Sequence, residues 1–245
     1  MNRQRRLREL LAADQRLAPL RTRIQLICDR CVSELAVTGA GATVLSKSTD
    51  SMNIGHRRGL VHASNPTSAR LEDLQLTVGE GPCVDAFASG GPILVPDLLA
   101  DVSRWPAFGS AAVELGAAAV FSFPLQVGVV RLGSLDLYRD RRGELSGPAL
   151  SAALILADLA TITVIEQIDG HTVDDVTWLA DSHTEIHQAV GMVRIQLGVS
   201  SDVALLRLRG YAFTQGLALA EVARRVVSRA FQFDAVEEVG DEEPA

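Results

Sequence analysis

Lysine is almost missing from this chain: Lys47 is the only one among 245 residues, and every other Lys-or-Arg position is arginine. A phosphorylation-dependent receiver domain needs an acidic cluster, an acceptor aspartate and a lysine late in the domain. Lys47 lies too early, so the input half is not a receiver. Aromatic residues are scarce too, at 4%, and a core must be built from Ala, Val, Leu and Ile. Three cysteines, at 28, 31 and 83, are too few for a disulfide framework and suit a reducing compartment. Long apolar runs are lacking: 117–130 is broken by Pro124 and Gln126, and no stretch reaches the length that spans a bilayer. The first residues, MNRQRRLRELLAADQRL, are basic and amphipathic, without a continuous apolar region or cleavage signal. These absences place the protein in the cytoplasm, away from the membrane. A glycine-rich phosphate loop, a nucleophile elbow and a carboxylate pair in a recognisable frame are also absent. The sequence therefore argues for no enzyme and no cofactor.

What is present is 47% hydrophobic sequence, enough for one medium domain and a small one. Over 19–36 the residues Leu20, Ile24, Ile27/Cys28, Cys31 and Leu35 recur at helical spacing. Gly39-Ala40-Gly41 breaks the helix, and strands are expected at 42–46 and 60–64 around a polar turn at 50–59. A short helix starts at 69–74, another covers about 82–89, a short strand 92–95, and a helix 105–115. The stretches 118–127 and 131–139 pair around Gly128, and a strongly apolar helix follows at 146–167. This order describes an α+β fold, an antiparallel sheet flanked by helices.

In this half Cys83 stands in the run Gly79-Glu80-Gly81-Pro82-Cys83, which opens a helix. A thiolate there can be stabilised by the helix N-terminus, making Cys83 a candidate redox or ligand site. The plainer alternative is a small buried hydrophobe at a tight turn. Cys28 and Cys31 share a helix face without a second Cys/His pair, and core packing is the better reading. His183 and His187 are spaced i, i+4, but H-T-E-I-H is not the metalloprotease pattern; a solvated or pH-sensitive pair is favoured. No metal ion is expected.

The last folded segment, 185–233, reads as three short amphipathic helices. Ile186, Ala189/Val190, Val193 and Leu197 form the first stripe. Ser200 or Ser201 caps the second helix, with Asp202 in its first turn. Val203, Leu206, Gly210 and Phe213 form one stripe on it and Ala204, Leu205, Leu208 and Ala212 its neighbour. Leu219, Val222, Val226 and Ala230 mark the third. Between 185 and 231 six arginines (194, 207, 209, 224, 225 and 229) face three acids (Glu185, Asp202 and Glu221), on a chain of net charge −7. A local basic excess suits a polyanion, or else a solvated helical face. A DNA-reading helix-turn-helix is disfavoured, because the third helix lacks the arginine-rich start that a major-groove reader needs.

The run Gln188-Ala189-x-Gly191-Met192, then Gly198-Val199-Ser200, Ala204, Leu208-Arg209, Tyr211-Ala212 and Leu219-x-x-Val222-Ala223 resembles an ANTAR domain. The Gly79–Cys83 motif and the order of elements before it are similar to a GAF domain, a small-molecule or redox sensor fold. The pair resembles an actinobacterial regulator architecture. It implies a homodimeric regulator of transcription antitermination that binds stem-loops in nascent RNA through a three-helix bundle, under a sensor domain with a small-molecule ligand. Residues assigned to RNA by that resemblance and by charge are Gln188, Ala189, Gly191, Arg194, Arg207, Arg209, Tyr211, Arg224 and Arg225. Tyr211 is either a stacking platform or a core aromatic. Many members carry Lys where this chain has Val190, a lost phosphate contact: either Arg194 supplies the charge one turn later on the same face, or RNA affinity is reduced. The alternative is a small-molecule or redox sensor whose helical tail serves only dimerisation or protein contacts. The expected organisation is a basic extension (1–16), sensor (17–167), helical connector (168–184), RNA-binding bundle (185–233) and acidic tail (234–245). Ile155, Leu159, Ile162 and Ile165/Glu166 are the expected seam between two chains.

Overall fold

Period-two alternation decides how the first half is layered. The computed structural model describes residues 20–47, 56–169 and 181–233; the basic extension, the acidic tail and most of the connector fall outside them. In chain order the first unit holds α1 (Leu20–Leu35), β1 (Gly39–Lys47), β2 (His56–Ala63), α2 (Pro66–Val78), α3 (Pro82–Ser89) and β3 (Ile93–Val95). A 3-10 turn (Val102–Arg104), α4 (Pro106–Glu114), β4 (Ala119–Val127), β5 (Val130–Arg139) and α5 (Gly147–Asp169) complete it. The five strands form one sheet in the order β2-β1-β5-β4-β3, every neighbour antiparallel.

On one face of that sheet lie Ala40, Ala42 and Val44 of β1, Phe121, Phe123 and Leu125 of β4, and Leu135 and Leu137 of β5. They pack against Ile24, Ile27, Cys28 and Cys31 of α1 and an alanine-rich stripe of α5. Small α5 side chains let that helix lie close to the sheet, the geometry that an aromatic-poor composition requires. Arg23 ties α1 to α5 by donating to Glu166 and, at 3.4 Å, to Thr163. The interleaved residues point the other way: Gly39, Gly41 and Thr43 of β1, Ser122 of β4, and Ser134, Asp136 and Tyr138 of β5. They are small or polar, and α2, α3 and α4 cover them around a second cluster centred on Leu71, Leu98, Trp105 and Phe108. The first face is apolar packing throughout, while the second combines a smaller core, which takes in Val120 and Tyr138, with buried polar side chains.

One expectation is corrected. Among the described residues the segment Gly147–Glu166 of α5 is long and apolar enough to cross a bilayer. Over half of it is buried inside the unit. A helix covered on most sides is apolar nearly all round, so length and composition alone do not distinguish it from a membrane span.

The chain divides into two compact units after residue 180. The second holds α6 (Asp181–Leu197), α7 (Ser201–Thr214) and α8 (Leu219–Val227). Ser200 caps α7, its hydroxyl accepting from the Val203 amide at 3.4 Å. Ile186, Ala189, Val190 and Val193 of α6, Ala204, Leu208 and Ala212 of α7, and Leu219, Val222, Ala223 and Val226 of α8 are buried. The second stripe on α7 is the one that packs; Val203, Leu206 and Phe213 face solvent.

Candidate nucleic-acid interface and sensor pocket

Four letters of the Gly79–Cys83 run have a clear structural task. Gly79 ends α2 in the left-handed conformation, its amide donating to the Gln75 carbonyl. Glu80 reaches across to α4, where its Oε1 accepts from the Ala107 and Phe108 amides at 2.7 and 3.0 Å. This carboxylate satisfies two open donors of the α4 N-terminus. Gly81 opens α3 at φ 135°, and a Cβ there would stand 2.6 Å from Gln75 Oε1. That oxygen accepts from the Cys83 amide at 2.9 Å. Cys83 is thereby fixed in the first turn of α3, buried against the polar face of the sheet.

Beside it lies a cavity lined by Gly41, Ser68, Glu72, Gln75, Asp136 and Tyr138 with apolar neighbours. The space open to the centre of a water molecule is about 10 Å³, room for one water. Thr43 Oγ1 donates to Glu72 Oε2 at 2.9 Å, and Ser134 Oγ donates to Asp136 Oδ2 at 2.6 Å. Glu72 and Asp136 are 64 positions apart in the chain, and no short-range pattern announces their meeting.

In the helical unit Gln188, Gly191 and Arg194 share the solvent face of α6, and Arg207 is exposed on α7. Ala189 lies in the core with no exposed surface. Val190 is buried too, so a charge one turn on at Arg194 stands outside while position 190 packs. Arg224 and Arg225 are exposed but both pair with Glu221, at 2.7 and 3.0 Å, and Arg224 also meets Glu185 at 3.5 Å. Among the described residues no ion pair engages Arg194, Arg207 or Arg229. Arg209 is half-buried.

Tyr211 is half-buried and stacks on Phe231, the ring centroids 4.3 Å apart, with Phe233 edge-on at 5.8 Å. Arg229, at φ 60°, turns the chain after α8 so that both phenylalanines return to Tyr211. The Phe233 amide donates to Gln196 Oε1 at 3.2 Å and anchors the return. Phe231 and Phe233 carry no signal of this role beyond being aromatic in an aromatic-poor chain. The side chain of His183 lies outside those described, while His187 is half-buried on α6.

Burial pushes the Cys28 thiol well above its ordinary range, with Asp29, Glu72 and Asp136 adding to it. Cys31 is raised for the same first reason, then by Cys28. Both thiols stay protonated and serve the core.

Comparison with known families fits these two units. A family model for the GAF domain matches residues 18–164, and one for the ANTAR domain matches 180–227. The chain belongs to the GAF domain family and carries an ANTAR domain behind it. A GAF domain is a sensor module and an ANTAR domain the RNA-binding part of antitermination regulators, so both assignments are regulatory. No curated protein matches the sequence. Among solved structures, the GAF domain of an Acinetobacter phosphoenolpyruvate-protein phosphotransferase is 13% identical, covering 70% of this chain and 95% of its own, with a TM-score of 0.51. The corresponding Coxiella burnetii domain is 18% identical, covering 68% and 94%, also at 0.51. SdiA in complex with octanoyl-rac-glycerol is 13% identical, covering 90% and 92%, at 0.51. At these identities the likeness is one of fold.

Proposed function

We propose that this protein is a cytoplasmic, dimeric antitermination regulator that binds stem-loops in nascent transcripts through α6–α8 and takes its signal through the sensor unit. The observation that carries the reading is the set of exposed arginines outside any ion pair, Arg194, Arg207 and Arg229, on the unit matched by the ANTAR domain. Arginines already neutralised by Glu221 gain less from a phosphate, whereas uncommitted ones release counterions in full. Two mid-helix glycines add support. Gly191 and Gly210 are exposed, and a Cβ added at either would meet nothing within 4 Å, yet each costs its helix about 1 kcal/mol relative to alanine. A ligand backbone approaching closely accounts for keeping them.

The test is a titration against a tandem stem-loop RNA, with a scrambled RNA and a duplex DNA as controls. The stem-loop RNA is expected to bind tightest, and Arg207→Ala to lower the log–log salt slope by about 1. Equal binding of all three nucleic acids overturns the reading.

A second reading has its own observation. Ile195 is 84% exposed, Leu206 67% and Phe213 50%, an apolar surface on α6 and α7 of the kind that contacts protein. In that case the helical tail serves dimerisation or protein contacts, and Leu206→Ser with Phe213→Ser changes the oligomeric state while nucleic acid binding is absent from the start.

A further inference from the structure

The polar face of the sheet gathers three potential metal ligands that the sequence keeps far apart. Glu72 of α2, Cys83 of α3 and Asp136 of β5 are all buried, and one donor atom from each lies within 4.8 Å of the others. Bringing two carboxyl groups together under cover is unfavourable unless a proton or a cation sits between them. A thiol as the third member selects among cations: hard magnesium and calcium prefer oxygen alone, whereas zinc and ferrous iron accept thiolate with carboxylate.

The surroundings orient these ligands. Thr43 holds one oxygen of Glu72, Ser134 holds one oxygen of Asp136, and the Gln75 contact to the Cys83 amide sets the first turn of α3. Gly41 leaves room for Glu72, since a Cβ there would stand 3.2 Å from its Cγ and Oε1. An independent observation points into the same place. Ser68, 3% exposed, lines the cavity together with Glu72 and Asp136, and its buried Oγ has no hydrogen-bond partner. A buried hydroxyl without a partner is uncommon and calls for a ligand or water.

We propose that Glu72, Cys83 and Asp136 form a three-ligand site for a thiolate-accepting divalent transition-metal ion, its fourth position open to the cavity beside Ser68. Three protein ligands with one open position is the arrangement in which a metal still exchanges water or a small molecule. The sensor unit would thus report the metal itself or a small ligand carried on it. Binding displaces the Cys83 thiol proton to solvent and forms the sulfur–metal bond, with no change of oxidation state.

The test uses the full chain, stripped with a chelator and titrated with Co²⁺. Expected is a thiolate-to-cobalt charge-transfer band that saturates at one ion per chain and is displaced by Zn²⁺. The band should persist in Cys28→Ala/Cys31→Ala, whose cysteines lie on the other face of the sheet, and vanish in Cys83→Ala and Asp136→Asn. Thr43→Val, which touches only a ligand's orientation, should weaken binding about 10- to 100-fold. A band that survives Cys83→Ala, or no band in the intact protein, overturns the site and leaves a shared proton between the carboxyls. Should Cys83→Ala fail to fold, Zn²⁺ protection of Cys83 against alkylation in the unaltered chain decides the same point: no protection rejects the proposal. Neither readout involves RNA, so the metal site stands or falls apart from the proposed function.

Discussion

Cys28 and Cys31 are completely buried on α1, and the effect of that burial is visible in pH rather than in redox chemistry. Their thiols titrate above the ordinary value of 9.0 in the folded protein and near it in the unfolded chain. The folded state therefore holds two protons that the unfolded state releases, and stability falls as pH rises past about 9. The slope is about 1.4 kcal/mol per pH unit for each thiol. Urea midpoints at pH 8 and pH 10 should differ less in Cys28→Ala/Cys31→Ala than in the unaltered chain; equal differences would contradict the assignment. At this scale the sequence was partly legible. Helical spacing alone puts Cys28 and Cys31 on the core side. It says nothing of Glu72 meeting Asp136, because that contact depends on which strand lies beneath α2. Nor does it reveal that Glu80 caps a helix beginning 26 residues later.

Elements were legible wherever periodicity ran long enough. The alternation in β4 and β5 and the apolar spacing of α1 and α5 predict elements close to those observed. Strand β2 begins at His56, inside the expected polar turn, because pairing with β1 extends it where its own residues give little signal. On α7 two stripes offered themselves, and only packing against α6 and α8 decided that Ala204, Leu208 and Ala212 turn inward. Small alanines won because they let three short helices approach closely. The glycines of α6 and α7 give a prediction at this level. Gly191→Ala and Gly210→Ala should each raise stability by about 1 kcal/mol, measured by chemical denaturation. Each should at the same time weaken stem-loop RNA binding, because the new methyl stands where the ligand comes close. Greater stability with unchanged RNA affinity would remove these faces from the interface.

For the whole molecule, the proposed dimer requires a surface on which two chains meet. Of the expected seam positions on α5, Ile155 is buried within its own unit and Leu159 packs against the core. Glu166 is taken up by Arg23. Ile162 is 50% exposed, and Leu154, two turns earlier, 42%. If α5 carries the dimer, Leu154→Glu with Ile162→Glu should yield a monomer in sedimentation experiments without unfolding the sensor unit. A surviving dimer places the contact elsewhere, with the exposed side chains of α6 and α7 the next surface to alter. The alternating strands carry one more consequence, for how such a protein can diverge. Odd and even letters of the same strand answer to different demands, one set to the larger core and the other to the buried polar cavity. Drift confined to Gly41, Thr43, Ser134 and Asp136 can therefore reshape that cavity while the opposite layer keeps the fold intact.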